Sequence, residues 1–329
     1  MRELEKKSSR AFNEVMINPQ LGIVTKKSTD IRKLGAEACW YDNIPESLQG
    51  LIPKKISYSY DVVFAELVMD YCTFPSLYEI LMSGVEVDWT EVQLRLYQVH
   101  KMFQDQPLIY ALHQKNAKKD LVNFHTSKLE SRVERLRTSD NYWAKLMDMP
   151  TIKINGKELK NLSFSILAQF IKDGEEYTIP SVVHGDYCFS NILYDLNTNC
   201  VKLIDPRGSF SHEGFYSVYG DSQYDFAKLL HSFIGYYDFI VGKKYLIDEE
   251  NHQFGSYEFS IDVPKDFKSA GNLLRQQVAQ KSLKEQQYIY ALHCSLFWSM
   301  IPLHYDDFMR QLAFYLRAVQ LYNDLLGLD

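Results

Sequence analysis

The spacing of hydrophobic positions changes once along the chain, near residue 71, and the change separates two kinds of structure. From about Ala11 to Tyr71 the apolar residues come in short β-rich runs. Gly22 to Lys27 reads GIVTKK, and Lys55 to Ser59 with Val62 to Met69 makes a second strand pair. Between them a helix is expected from about Asp30, whose carboxylate can accept from the open amides of a first turn. After Pro75 the period becomes helical: Val92, Leu96, Val99 and Phe103 fall on one face. Ser127 with Glu130 reads as a capping box ahead of Leu129, Val133 and Leu136, and Leu312, Tyr315, Leu316, Val319 and Tyr322 mark a closing helix. Two interruptions stand out, a hairpin turn at Asn155-Gly156 and an irregular or β excursion over Glu249 to Ile261. No internal repeat or low-complexity tract is present. The expected division is a sheet-plus-helix lobe over 1–71 and a helical lobe over 72–329.

A chain of 329 residues with 46% hydrophobic and 24% charged residues has the composition of a folded globular protein of two lobes or domains. Its 36 basic and 42 acidic side chains, net charge −6, supply no basic footprint for a phosphate backbone, so nucleic acid is not expected as a partner. Five scattered cysteines without a CxxC pair point to free thiols rather than zinc or disulfides. Neither an N-terminal apolar stretch nor a membrane-length run is present, and the expected location is cytoplasmic, with no membrane partner.

Chemistry concentrates in VVHGDYCFSNILYDLNTNCVKLIDPRG, Val182 to Gly208. Ile192 to Tyr194 and Val201 to Ile204 flank the turn-rich DLNTN, which predicts a hairpin with its tip near Thr198. Cross-strand partners then sum to about 396, a register that sets Asn191 opposite Asp205. An amide oxygen and a carboxylate converging at a strand end suit Mg²⁺, which takes the rest of its shell from water and substrate phosphates. Asp186, five residues before Asn191, belongs to a loop that folds back over the same end, where a carboxylate can orient a hydroxyl and accept its proton as it attacks phosphorus. His184 reads as a buried histidine bonded to backbone.

HGDYCFSNIL followed by LIDP resembles the catalytic and metal-binding signature of the aminoglycoside phosphotransferase and choline kinase superfamily. The resemblance implies a bilobal, protein-kinase-like α+β fold, with a small antiparallel-sheet N-lobe and a larger, mostly helical C-lobe. It also implies a phosphotransferase that uses ATP and Mg²⁺, with Asp186 as catalytic base and Asn191 and Asp205 as metal ligands. Pro206 stands where protein kinases carry the Phe of DFG. GDSQYDFAKLL, Gly220 to Leu230, is similar to the family's GDxxYDLA helix start; this makes Asp225 a buried brace for the catalytic loop, while Asp221 is read as a helix cap.

On the nucleotide side, a strand lysine pinned by a helix carboxylate is the usual phosphate grip. Lys26 or Lys27 supplies the first and Glu37 the second; strand alternation lets only one lysine face the phosphates, and Lys26 is favoured. No GxGxxG or GxxxxGK[ST] is present, and the loop SSRAFNE, Ser8 to Glu14, has no glycine, which speaks against nucleotide contacts there; in the families it resembles this loop is often not glycine-rich, and the resemblance makes Ser8 or Ser9 a candidate phosphate donor. LVMDYC resembles the linker that binds adenine, with Met69, Asp70 and Tyr71 at its centre.

The acceptor is expected to be a small hydroxyl compound. Tyr288, Tyr290, Phe297, Trp298 and Tyr305 are aromatic candidates for stacking, although helical spacing equally places such residues in a core. The choline branch follows its metal Asp with an acidic, aromatic tetrapeptide where this chain has PRGS, which favours a sugar, an aminoglycoside or a related compound. The longer stretch RGSFSHEGFYSVY is expected to shape the acceptor side, with Arg207 a candidate for pairing with an anionic substrate. The alternatives are a choline or amino-alcohol kinase and a non-catalytic, nucleotide-binding scaffold.

Overall fold

The computed structural model describes residues 5–8, 13–106, 111–211, 214–249 and 253–328. Ser9 and the side chain of Ser8, the suggested phosphate donors, lie outside what it describes. The chain opens with β1 (Glu5–Ser8), β2 (Asn13–Asn18), β3 (Ile23–Ser28), α1 (Ile31–Asn43), β4 (Lys55–Tyr60) and β5 (Ala65–Asp70). It continues through α2 (Leu77–Ser83), α3 (Trp89–Gln104), α4 (Ala111–Arg137), α5 (Asn141–Asp148), β6 (Thr151–Ile154), β7 (Lys157–Lys160) and α6 (Phe164–Asp173). Then come β8 (Pro180–Val182), β9 (Ile192–Asp195), β10 (Cys200–Leu203), β11 (Tyr219–Asp221), α7 (Ser222–Phe233) and α8 (Tyr237–Val241). The chain ends with β12 (Tyr245–Glu249), β13 (Ser256–Ile261), α9 (Lys265–Ala279), α10 (Leu283–Met300) and α11 (Phe308–Leu326).

These elements form two compact units. One gathers Met1–Val87, Tyr97–Ala111 and Pro180–Asp225. Its antiparallel sheet has the order β1-β2-β3-β5-β4, and α1 packs on β4 and β5. Asp30 caps α1 as expected, accepting from the Lys33 amide at 3.0 Å. The helix buries Leu34, Ala36, Ala38, Trp40 and Tyr41. Two small antiparallel pairs, β9 with β10 and β8 with β11, complete this unit. Ser76 and Glu79 form a capping box on α2, a local Ser-x-x-Glu signal absent from the sequence-based expectations.

The other unit comprises Asp88–Leu96, Leu112–Ile179 and Phe226–Asp329. Its core centres on α10, which packs against α11 and α6. Tyr288, Phe297 and Trp298 are buried in it, so they are packing residues and not acceptor platforms; Tyr305 lies on the surface. Leu312, Tyr315, Leu316, Val319 and Tyr322 are buried along α11, the predicted closing face. The Ser127 capping box does not form. α4 runs unbroken through that position, and the Ser127 hydroxyl donates to the Asn123 carbonyl one turn back at 2.5 Å. The Glu249–Ile261 excursion is strand on both sides, β12 pairing with β13 in a four-stranded sheet of order β12-β13-β6-β7. No helix among the described residues is long and apolar enough to cross a membrane.

The β6–β7 turn is as read: Asn155 at φ +53° and Gly156 at φ +74° take the paired left-handed conformation of a two-residue hairpin loop. A methyl on Gly156 would meet no atom within 4 Å, so Gly156→Ala tests backbone strain alone. It is expected to cost about 1 kcal/mol, measured as a lower urea midpoint at unchanged m-value. An unchanged midpoint would refute the strain.

Candidate active site

Every polar residue singled out for chemistry lies in the first unit, and the site can be built from the exit of β8. Beyond that strand the chain turns through Val183, His184, Gly185 and Asp186. Asp225, in the first turn of α7 and only 3% exposed, accepts the amides of His184 at 2.6 Å and of Gly185 at 2.8 Å with its two oxygens. Two buried donors are thereby satisfied by one carboxylate, which fixes the turn. The expected brace is in place. Asp221 accepts from the Gln223 amide at 3.0 Å, the cap read for that helix.

His184 is locked as a backbone-bonded ring. Its Nε2 meets the Ile204 carbonyl at 2.9 Å, and its Nδ1 accepts from the Asp186 amide at 3.3 Å, a pairing that requires a neutral imidazole protonated on Nε2. Burial pushes its pKa down to about 4. Trp40 of α1, which no sequence signal marked, donates its indole N–H to the Val183 carbonyl at 2.8 Å and lies edge-on to the His184 ring.

Asn191 ends a short 3-10 turn, Phe189–Asn191. Its Nδ2 donates to the Asp186 carbonyl at 2.9 Å and to the Asp186 carboxylate Oδ2 at 3.0 Å, so one amide holds both the loop and the side chain it carries.

The register of the β9–β10 hairpin differs by one from the expected one. Cys200 pairs with Asp195 and Leu203 with Ile192, a sum of 395, and the Ile204 amide donates to the Asn191 carbonyl at 3.0 Å. Ile204, not Asp205, is therefore opposite Asn191. The loop between the strands is Leu196 to Asn199, closed by the Asn199 amide on the Asp195 carbonyl at 2.9 Å with Asn199 at φ +55°. Asp205 lies one residue beyond the pair at φ +58°, a left-handed backbone that aspartate tolerates better than most residues. Its carboxylate reaches the ammonium of Lys26.

Lys26 also meets Glu37 of α1, Nζ to Oε1 at 2.7 Å, with side-chain exposures of 13% and 11%. Lys27 points to the opposite face of β3 and pairs with Glu66 at 2.9 Å. The structure thus brings Lys26, Glu37 and Asp205 together, and separately ties Asn191 to Asp186. In the linker, Met69 is buried in the sheet, the Asp70 amide donates to the Lys54 carbonyl at 2.9 Å, and the Tyr71 amide to the Gly22 carbonyl at 2.8 Å. Arg207 sends its Nε–H to the Ser209 carbonyl at 3.0 Å and lies over the Phe210 ring at 5.9 Å.

Among the described residues no three His, Cys, Asp or Glu side chains are grouped to hold a metal by themselves. A donor set of one carboxylate, Asp205, and one amide, Asn191, fits a Mg²⁺ ion that keeps waters and arrives bound to phosphates. Gly208, in the stretch after Asp205, packs on α1: a methyl built on it would fall on the Ala36 carbonyl.

No protein-family model matches the chain, and no curated protein does. Solved structures do. An apo thermostable mutant of aminoglycoside phosphotransferase APH(4)-Ia aligns over 99% of this chain and 95% of its own at TM-score 0.58 and 11% identity. A ternary complex of such a mutant with AMP-PNP and hygromycin B aligns over the same shares at 0.55 and 10%. A putative fructosamine-3-kinase from Haemophilus somnus 129PT aligns over 99% of this chain and 92% of its own at 0.56 and 12%. At these identities the likeness establishes the fold. The chain has the kinase-like α+β fold of the aminoglycoside phosphotransferases, with a small antiparallel N-terminal sheet and a mostly helical C-terminal part, as the sequence resemblance implied.

The neutral ring of His184 carries a pH signature. Its folded pKa near 4 lies below the ordinary 6.5, so between these values the unfolded chain binds a proton that the folded chain refuses. The stabilisation is complete above pH 6.5 and is lost as pH falls to 4, on the order of 3 kcal/mol. Urea denaturation of the wild type and His184→Gln at pH 7 and pH 4.5 is expected to show the steeper loss in the wild type. Parallel pH dependence would refute the assignment.

Proposed function

We propose that this protein is an ATP-dependent kinase that transfers the γ-phosphate to a hydroxyl of a sugar, an aminoglycoside or a related small molecule. The observation that carries the reading is the pairing of two polar groups within one compact unit: Asn191 clamped on Asp186, and Lys26 shared between Glu37 and Asp205. A fold alone does not imply an activity; these side chains and their partners do the discriminating.

In this reading Asp186 is the catalytic base. Its carboxylate, aimed by the Asn191 amide, orients the acceptor hydroxyl and takes its proton as the new O–P bond forms and the bond to the ADP oxygen breaks. Lys26, desolvated and held by Glu37, lies against the phosphates. Asn191 and Asp205 would hold Mg²⁺, which would supply charge neutralisation on the phosphate oxygens. The adenine end is assigned to the linker Met69, Asp70 and Tyr71. Because the amides of Asp70 and Tyr71 already donate within the sheet, these two residues would read the base through their carbonyls. The neighbours' nucleotide and hygromycin B complexes agree in kind with a nucleotide and a hydroxyl-bearing acceptor as the two partners. With Tyr288, Phe297 and Trp298 committed to the core, nothing in that set favours a quaternary-ammonium acceptor.

The test is ADP release in the presence of Mg-ATP and a panel of sugars, aminoglycosides and amino alcohols. Stimulation by a hydroxyl compound supports the kinase, and Mg-ATP binding with no stimulation by any of them supports the scaffold. Asp186→Asn is expected to reduce turnover about 10²–10⁴-fold while Mg-ATP affinity is retained; an active variant removes Asp186 from the role. Asp205→Asn, which keeps a residue tolerant of φ +58°, is expected to lower ATP affinity in Mg²⁺ to the metal-free level. Unchanged affinity with metal present contradicts the ligand assignment.

A further inference from the structure

The stretch between Asp205 and Asp225 carries a role that neither the motif nor the fold assigns. We infer that it is a strap that sets the position of α1, and that Gly208 is the positioning residue on which the setting depends. The inference rests on the proposed phosphate grip, because what α1 positions is Glu37, the partner of Lys26.

Gly208 is three residues past Asp205, at φ +64°. A methyl there would lie 2.1 Å from the Ala36 carbonyl oxygen, 2.4 Å from its carbon and 3.1 Å from the Glu37 nitrogen. The strap therefore touches α1 backbone to backbone, with no side chain between them to give way, at the residue next to and the residue that holds Lys26. The contact extends along the helix. A methyl on Gly214 would strike the Arg32 guanidinium, and one on Gly35 would lie 2.7 Å from Tyr216 Oη. Arg32, Gly35 and Ala36 share one face of α1.

The strap is closed on itself and anchored to the catalytic turn. The Ser217 amide donates to the Gly208 carbonyl at 2.9 Å, Ser209 and Tyr216 form a β-bridge, and the Arg207 amide donates to the His184 carbonyl at 2.9 Å. A continuous ring results: Glu37 to Lys26, Lys26 to Asp205, then through Pro206 and Arg207 to Gly208, which returns to Ala36. Charge contacts close the ring on one side and a van der Waals stop closes it on the other. A larger residue at 208 must displace α1 or the strap by about 1 Å to reach an ordinary contact distance. Errors of that size in a phosphate-positioning group cost about 100-fold.

Gly208→Ala is therefore expected to lower kcat/KM for ATP about 100-fold while KM for the acceptor stays within two-fold. The matched control is Gly84→Ala. Gly84 has φ +72° and open space around its missing Cβ, so this variant pays the same backbone strain without the collision and is expected to keep wild-type kinetics. Kinetics of Gly208→Ala equal to those of Gly84→Ala would overturn the strap. Hydrogen exchange of the nucleotide-free protein decides the matter without any assay of activity: amides of residues 31–43 should exchange faster in Gly208→Ala than in the wild type or Gly84→Ala, and equal exchange would overturn it. A wild type that neither binds ATP nor releases ADP would sink the kinase proposal and leave the exchange result to judge the strap. If Gly208→Ala does not fold, Gly35→Ala in a Tyr58→Phe background, which leaves Tyr216 as the tight neighbour of the new methyl, is expected to loosen the same helix, and adding Tyr216→Ala to restore its protection; failure of the added change to restore it counts against the strap.

Discussion

One buried carboxylate organises the site. Asp225 must find donors for two oxygens away from water, and the amides of His184 and Gly185 must find acceptors; each solves the other's problem at 2.6 and 2.8 Å. With the turn so fixed, His184 can use its ring to join the turn to the Ile204 carbonyl, and that bond ties the end of β10 to the exit of β8. The turn that carries Asp186 and the strand end that leads to Asp205 are thus tied by hydrogen bonds among groups outside the proposed chemistry.

Local signals were the legible ones. Lys26 and Lys27 separate by strand alternation, and the opposing faces of β3 bear this out, with partners Glu37 and Glu66. Asp30, the helical face of α3 and the Asn155-Gly156 turn depend on residues a few positions apart, and each took its predicted form. The register of the β9–β10 hairpin was less accessible, because its loop closes with Asn199 in a left-handed conformation and shifts every pair by one. Asp205 then takes a left-handed backbone of its own, which no spacing rule contains.

What stayed hidden was long-range. Ser127 looks like a cap only to a reader who cannot see that α4 starts sixteen residues earlier, so its hydroxyl has a helical carbonyl to bond. The stretch from Arg207 to Tyr219 has no period of its own, and the place of Gly208 on α1 follows from atoms more than 170 residues away in sequence, as its contact with Ala36 shows. Aromatic content likewise says little until burial is known: Phe297 and Trp298 are as polarisable as any stacking platform but face the core.

The indole of Trp40 gives the molecule an optical property worth using. Of the four tryptophans it alone belongs to the unit with the candidate site, the others being Trp89, Trp143 and Trp298. It is wedged between the Phe103 ring, the His184 ring and the Val183 carbonyl, so its emission depends on how α1 is seated. A chain in which the other three are replaced by phenylalanine would report movements of that helix by its own fluorescence, with no attached dye.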